Sequence, residues 1–397
     1  MTPHRLEVAD VFRTHQQEFL GQWGHVLSPQ QRGAFQDICN CRTAALGGHV
    51  DECDQCGHRA ISYNSCRNRS CPRCLATAQA HWLDERQAEL LPVDYFHVVF
   101  TLPQQIAVLA LHNGRQIYSI LFRAAAETLL TIAADPKHLG AAIGFMAVLH
   151  TWGQNLHLHP HVHCVVPGGG ISPDGSRWIS SRKKFFLPCK VLSRLFRKTF
   201  LTLLQKAFCK GKLRFCGDSE ELAQPDAFAA YCRQAGKFEW VVYAKPPFGG
   251  PAQVLKYLAR YTHRVAISNR RLVSLEDGKV SFQWKDYADG SQTKTMTLDA
   301  IEFIRRFLLH VPPAGFVRIR HYGFLANRVR REKLAQCRSL LATCSPCEEP
   351  GICRPTAAEP QLDSHRCPVC GIGKMALISF VAAEPAASPP VARLDTS

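Results

Sequence analysis

The sequence predicts a mixed α+β protein, a large central domain flanked by small metal-dependent units, and three observations lead there. Short β-branched and aromatic runs alternate through the middle of the chain with stretches of helical periodicity. Cysteines gather in CxxC pairs on either side of that middle, among residues too polar to build a core of their own. The chain has 397 residues and 46% hydrophobic content, enough for a sizeable core.

Taken in order, Val8, Val11, Phe12, Phe19 and Leu20 recur at mixed three- and four-residue spacing, an amphipathic helical lead-in over residues 6–38 with a helix start at Ser28-Pro29. Residues 39–74 are rich in Cys, Gly, Asn and Arg and are expected to fold around metal. A helix is expected over 81–91, then a strand over 94–101 that stops at Leu102-Pro103. Next come a helix over 116–131 and strands over 143–151 and 161–166, the second ended by Pro167 and three glycines. Helices over 191–208 and 253–263 follow, then strands over 271–274 and 279–284 about an Asp277-Gly278 turn, then a helix over 298–309. Beyond Arg318 the chain turns basic, enters a second cysteine cluster, and after Phe380 becomes an Ala- and Pro-rich tail expected to be disordered. These shifts predict units over 1–92, 93–312 and 313–380, with a tail over 381–397.

Charge points to a polyanionic partner. Lys and Arg number 48 against 32 Asp and Glu, a net +16, which favours phosphate contacts and counterion release. No stretch approaches the length of uninterrupted apolar sequence that a membrane helix needs, and the N-terminus lacks the apolar core of a secretory signal, so a cytoplasmic protein with no membrane partner is expected. In a reducing compartment the 18 cysteines read as zinc ligands rather than disulfides.

The segment His157-Leu-His-Pro-His161-Val-His163 puts His161 and His163 on one face of a strand, because side chains alternate with period two. Two neutral imidazoles plus a third ligand leave open positions on a divalent ion for a phosphate oxygen. If the preceding strand pairs as a hairpin, His150 and Gln154 have the parity to supply that third ligand; His159 is nearer along the chain, and a bulge at Trp152-Gly153 would change which side chains face the metal. In a helix over 253–263, Tyr257 and Tyr261 at i and i+4 project from one face, with Lys256, Arg260, His263 and Arg264 beside them to attract phosphate and lower the cost of a phenolate. Two half-buried core tyrosines would show the same spacing, so the pair gains meaning only together with the histidines.

Four segments together resemble the two-tyrosine HUH transposases of the insertion sequence 91 family: Tyr95 to Pro103, Leu149 to Gln154, His159 to Gly170, and Tyr257 to Arg271. The resemblance covers nearly the whole chain. It implies a ferredoxin-like HUH endonuclease core, His161 and His163 as the metal pair, and a Mg2+ or Mn2+ cofactor. It also implies Tyr257 and Tyr261 as nucleophiles forming 5′-phosphotyrosine links in rolling-circle transposition of single-stranded DNA. The implied setting is the bacterial cytoplasm, at the nucleoid when bound to DNA. No Gly-x4-Gly-Lys-Ser/Thr loop is present, so strand unwinding is expected from host replication or helicase proteins.

Cys53-x2-Cys56 and Cys71-x2-Cys74 have the spacing of a tetrahedral zinc site made of four thiolates, and Cys41, His49, His58 and Cys66 are the candidates for a second ion. Arg67, Arg69 and Arg73, interleaved with Tyr63, Asn64 and Asn68, form a candidate DNA-reading surface. This region is similar to the zinc-binding domain that precedes the family's core, with Ser70 where that pattern carries His. Cys344-x2-Cys347 and Cys367-x2-Cys370 predict another zinc site, with Gly371 placed for its tight turn, while Cys337 and Cys353 are left over.

Two other readings compete. A zinc-dependent DNA-binding regulator without cleavage activity would leave the His- and Tyr-bearing middle domain without a use. A metallo-phosphohydrolase would be expected to recruit carboxylates, and no dense Asp/Glu cluster accompanies His161 and His163.

Overall fold

The computed structural model describes residues 5–75, 89–183, 186–245, 265–286, 289–343 and 366–384. The lead-in folds as three helices, α1 (Val8–Thr14), α2 (Gln16–Trp23) and α3 (Pro29–Asn40). The Ser28-Pro29 start of α3 is a capping box: Ser28 Oγ accepts the Gln31 N–H at 3.3 Å and Gln31 Oε1 accepts the Ser28 N–H at 3.0 Å, with Pro29 in the first turn where no N–H is needed. Strands β1 (Gly48–Cys53) and β2 (Arg59–Tyr63) follow.

The middle of the chain supplies β3 (Tyr95–Thr101), a one-turn helix α4 (Gln104–Ala107), the long α5 (Ala110–Ala134), β4 (Gly144–Trp152), β5 (Leu158–Pro167) and the short pair β6 (Gly169–Ile171) and β7 (Trp178–Ser180). After these come α6 (Cys189–Cys209), α7 (Pro225–Ala235) and β8 (Val242–Lys245). Farther along lie β9 (Leu272–Glu276), β10 (Lys279–Asp286), β11 (Gln292–Asp299), α8 (Ala300–Leu308), β12 (Ile319–Gly323), α9 (Arg330–Thr343) and β13 (Met375–Val381). The Asp277-Gly278 turn joins β9 and β10 with φ of 49° and 70° at its two central residues, the left-handed pair that such a two-residue hairpin requires.

Among the described residues, the central sheet has the order β12-β4-β5-β3-β8, and every neighbour pair is antiparallel. Period-two alternation divides its side chains. Phe96, Val98, Phe100, Leu149, Val162, Cys164 and Val166 take one face and pack on Leu121 and Phe122 of α5 and Phe196 and Phe200 of α6. Each such aromatic contributes about 1.5–3 kcal/mol by leaving water, and Phe100 meets Phe196 at a centroid distance of 4.9 Å. The opposite face carries the histidines over a smaller apolar floor of Tyr95, Met146, Val148 and Val165.

A second core joins the two halves of the sequence. Phe12 of α1 lies 5.2 Å from Phe35 and 5.3 Å from Phe307, and Phe282 lies 5.9 Å from Phe303, so the lead-in helices pack on β10 and α8. Helix α8 is suited to this because Phe303, Ile304, Phe307 and Leu308 fall on one side of it.

The structure departs from two expectations here. The divisions at 92 and 312 are crossed by strand pairing, since β12 forms the edge of the central sheet and β13 pairs with β1; edge strands left alone would expose a row of unsatisfied amides. Position 381 belongs to β13, and Glu384 N–H still donates to the Ala44 carbonyl, so ordered chain runs past the expected start of the tail. Helix α5 has 25 residues, and an 18-residue stretch of it with a mean hydropathy of 1.4 is long and apolar enough to cross a membrane by those measures alone. Its Ile117, Leu121, Phe122, Leu129 and Ala133 are instead the spine of the main core.

Candidate active site and cysteine clusters

The β4–β5 hairpin builds the histidine site by register. His150 stands directly opposite His161, and His163 is two residues further along β5, so all three imidazoles rise from one face. Their ring centroids are 5.4, 4.5 and 4.7 Å apart, and one ring nitrogen from each lies within 4.8 Å of the others. Of the three candidates for a third ligand, the structure brings His150 to the pair. The strand register shifts between His150 and Trp152, and Leu156 turns through φ of 63°, so Gln154 sits past the irregularity on the rim. His159 contributes its backbone rather than its ring: its carbonyl accepts the His161 Nδ1–H at 2.6 Å, which leaves Nε2 as the His161 atom that could hold a metal.

His163 is oriented by a residue that sequence reasoning passed over. His97 on β3 places Nε2 2.7 Å from His163 Nδ1, with the rings stacked at 4.9 Å and 9°. Were His163 to ligate a metal through Nε2, its Nδ1–H would donate to His97. Burial pushes His97 down to about 3, helped by the nearby Lys245 and His161, so it accepts as a neutral ring. Burial likewise lowers His161 to about 4, against the opposing hydrogen bond to His159, keeping it in the form that binds metal. The signal was the single histidine in an otherwise apolar strand, but its meaning depends on β3 lying beside β5, which period two alone does not give.

The hairpin's bend is held from behind by His310. It is buried, its Nε2–H donates to the Leu156 carbonyl at 3.1 Å, and its Nδ1 accepts the Thr151 hydroxyl at 3.2 Å. In front, the histidines open into a cleft of about 990 Å³ lined also by Trp152, Gln154, Tyr243, Lys245, Arg271, Trp284 and Lys285. No carboxylate stands among its described lining residues. Three cations, two tryptophans and a tyrosine suit a nucleic-acid strand, phosphates to the cations and bases to the rings.

The cysteines form two groups, each with four thiols within 4.8 Å of one another. Cys41, Cys66, Cys71 and Cys74 gather at the edge of the second core, with sulfur separations of 3.5–3.7 Å. Cys53 and Cys56 gather instead with Cys367 and Cys370, at 3.7 Å for two cross pairs. The expected partition is thereby redrawn: Cys53-x2-Cys56 does not meet Cys71-x2-Cys74, because β1 and β2 carry it to the far end of their sheet. Neither His49 nor His58 joins a cluster; His49 pairs with Asp51 at 3.3 Å, and the His58 carbonyl accepts the Cys53 N–H. The left-over Cys337 lies on α9 and is buried in a small core with Leu334, Trp178 and Phe324. Cys344, Cys347 and Cys353 lie outside the described residues.

Comparison with known proteins agrees with this architecture. Residues 11–102 match the family described as "Transposase zinc-binding domain" of insertion sequence 91, and residues 144–333 match the family described as "Putative transposase". The chain is 59% identical over 379 residues to "Putative transposase y4qJ" of Sinorhizobium fredii, covering 94% of this chain and 95% of that one. The chain belongs to the insertion sequence 91 family of transposases. It is also 28% identical over 375 residues to the transposase for insertion sequence element IS801 of Pseudomonas savastanoi, covering 88% and 85% of the two chains. Among solved structures, the conjugative relaxase TrwC in complex with oriT DNA is similar over 42% of this chain and 70% of its own, at 14% identity and a TM-score of 0.22, too slight a likeness to carry weight.

In this transposase, the zinc-binding family match and the two tetrathiol groups make zinc the structural metal. Of the arginines expected to read DNA, Arg67 and Arg69 are exposed. Arg69 donates to the Phe316 carbonyl at 2.6 Å and the Pro313 carbonyl at 3.0 Å, and Arg73 pairs with Glu7 at 3.2 Å, so both brace the zinc loop against its neighbours. Tyr257 and Tyr261, with Lys256, Arg260 and Arg264, lie outside the described residues.

Proposed function

We propose that this DNA transposase cuts and rejoins single-stranded DNA through Tyr257 and Tyr261, beside a Mg2+ or Mn2+ ion held by His150, His161 and His163, in rolling-circle transposition. The observation that carries the reading is the convergence of three imidazoles on an open, cationic cleft at both ends of the tyrosine-bearing segment. The described chain stops at Lys245 and resumes at Val265, and Lys245 and Ala266 both line the cleft. Only five positions separate Tyr261 from Ala266, a span of at most about 18 Å.

The donor set fits the ion: three neutral imidazoles, two of them oriented through their second nitrogen, leave room for phosphate oxygens. When bound, the ion polarises the scissile phosphate as a Lewis acid. Lys245, Arg271 and Lys285 hold the strand by its flanking phosphates. A tyrosine hydroxyl, its proton lost to solvent or base, forms an O–P bond while the P–O3′ bond breaks and the leaving oxygen takes a proton. The 5′ end is then held as a phosphotyrosine and the 3′-hydroxyl is free. Attack of a 3′-hydroxyl on that link restores a phosphodiester and returns the phenol. Two tyrosines allow donor and target ends to be held in turn, with unwinding supplied by host replication or helicase proteins.

The test is incubation of the purified transposase with Mn2+ and single-stranded DNA from the ends of its element, resolved on a denaturing gel. The expected product is protein covalently bound to a 5′ end, lost in a Tyr257→Phe/Tyr261→Phe variant. Cleavage retained in that variant, without an adduct, would show hydrolysis by water and end the proposal.

A further inference from the structure

The group of Cys53, Cys56, Cys367 and Cys370 joins the two ends of the chain, its cross pairs separated by 317 and 311 positions. Both knuckles are shaped alike. Each second cysteine is followed by a glycine in the left-handed region, Gly57 at φ 70° and Gly371 at φ 66°, where a side chain is strained. In the C-terminal knuckle, Val369 N–H points at Cys367 Sγ at 3.4 Å and Gly373 N–H at Cys370 Sγ at 3.3 Å, donors that favour thiolates.

The approach between the knuckles is close and specific. Asp54 N–H donates to the Lys374 carbonyl at 3.1 Å and Asp54 Oδ1 accepts the Lys374 N–H at 2.8 Å. A Cβ on Gly373 would run into Cys53 Sγ, so only glycine lets the second knuckle close over the first. Beyond the knuckles, β13 runs antiparallel to β1 from Cys53↔Met375 to Gly48↔Val381.

Sulfur separations of 3.7 Å fit one ion and not a disulfide. Four thiolates at about 2.3 Å from a tetrahedral zinc stand about 3.8 Å from one another, whereas a disulfide needs about 2.05 Å. We propose that these four cysteines bind one zinc ion that clasps the C-terminal ribbon to the N-terminal zinc-binding domain, so that this domain is completed by residues more than 300 positions away. The first ion, at Cys41, Cys66, Cys71 and Cys74, is separate from it. The clasp does not depend on the cleavage chemistry.

Alkylation of the zinc-loaded full-length protein, read by mass spectrometry, tests this. In a Cys367→Ser/Cys370→Ser variant, Cys53 and Cys56 become reactive and one zinc per chain is lost, while Cys41, Cys66, Cys71 and Cys74 stay protected and report that the rest is folded. Adding Cys53→Ser and Cys56→Ser releases no further zinc. A Cys344→Ser/Cys347→Ser variant leaves Cys367 and Cys370 protected. If instead Cys53 and Cys56 stay protected without the C-terminal knuckle, or the fourfold variant loses two ions, the clasp is refuted. For the case in which the variants do not fold, wild-type protein is digested and sprayed under native conditions. A zinc ion bridging the Cys53–Cys56 peptide to the Cys367–Cys370 peptide supports the clasp, and zinc found only between the Cys53–Cys56 and Cys71–Cys74 peptides overturns it.

Discussion

The histidine site and the clasp are both suited to a metal, yet they are assembled over very different distances along the chain. His150, His161 and His163 come from two adjacent strands of one hairpin, where pairing register alone decides which side chains meet. The four clasp cysteines come from opposite ends, and nothing local says which knuckle meets which. The histidines sit on the main sheet with its core beneath them, so an ion held there would inherit a preformed geometry. The clasp lies at the periphery, with Cys56 exposed, and its ion helps make the structure that holds it. In the readings proposed above, the first arrangement serves chemistry, the second attachment.

The comparison can be broken first at the histidines. His163→Ala should lower the initial rate of Mn2+-dependent cleavage on the order of 10³-fold, the cost of withdrawing one preorganised electrostatic stabiliser, with little change in melting temperature. An unaltered rate would remove the hairpin from the reaction.

Next come the two cysteine groups. Cys71 is buried in the second core, to which Phe12 and Phe307 also belong, so Cys71→Ser should loosen the lead-in helices and cost more than about 4 kcal/mol in denaturant unfolding. Cys56→Ser should cost clearly less, because the clasp touches neither main core. Equal losses would mean that the two ions support one cooperative unit.

A smaller effect is expected at His97. Replacing it with Ala should raise the Mn2+ concentration for half-maximal cleavage by about 10–100-fold while leaving the rate at saturating Mn2+ nearly intact, and His97→Gln should recover part of the loss. A fall in the saturated rate with no change in Mn2+ dependence would assign His97 a different role.

The smallest concerns pH and His310, which burial lowers to about 4. Its unfolded value is near 6.5, so between those values the unfolded chain binds a proton that the folded chain refuses. Stability should therefore be complete above about pH 6.5 and decline as pH falls towards 4. His310→Gln, which keeps a donor and an acceptor for Leu156 and Thr151, should flatten that part of the profile in equilibrium unfolding.

Much of the site was legible because it follows local rules. The HxH strand, its hairpin partner and the Asp277-Gly278 turn follow from side-chain alternation and from the backbone that a two-residue turn demands. His97 was not legible as a partner of His163, since a lone histidine in a strand acquires a role only from the strand laid beside it. That Arg69 and Arg73 also reach backbone carbonyls and a carboxylate was not legible, because charge on a loop says nothing about what packs against that loop.

By itself the sequence determined the α+β class, the family, the His161 and His163 pair, and the chemistry of zinc, since each rests on residue type at short spacing. Only the tertiary structure decided that His150 is the third imidazole, that β12 and β13 return to sheets begun long before them, and that Cys53 and Cys56 face Cys367 and Cys370. The physical reason is that a CxxC pair presents two sulfurs identically to any other pair. Which pair answers is set by strand pairing and core packing across hundreds of residues, and neither leaves a local mark.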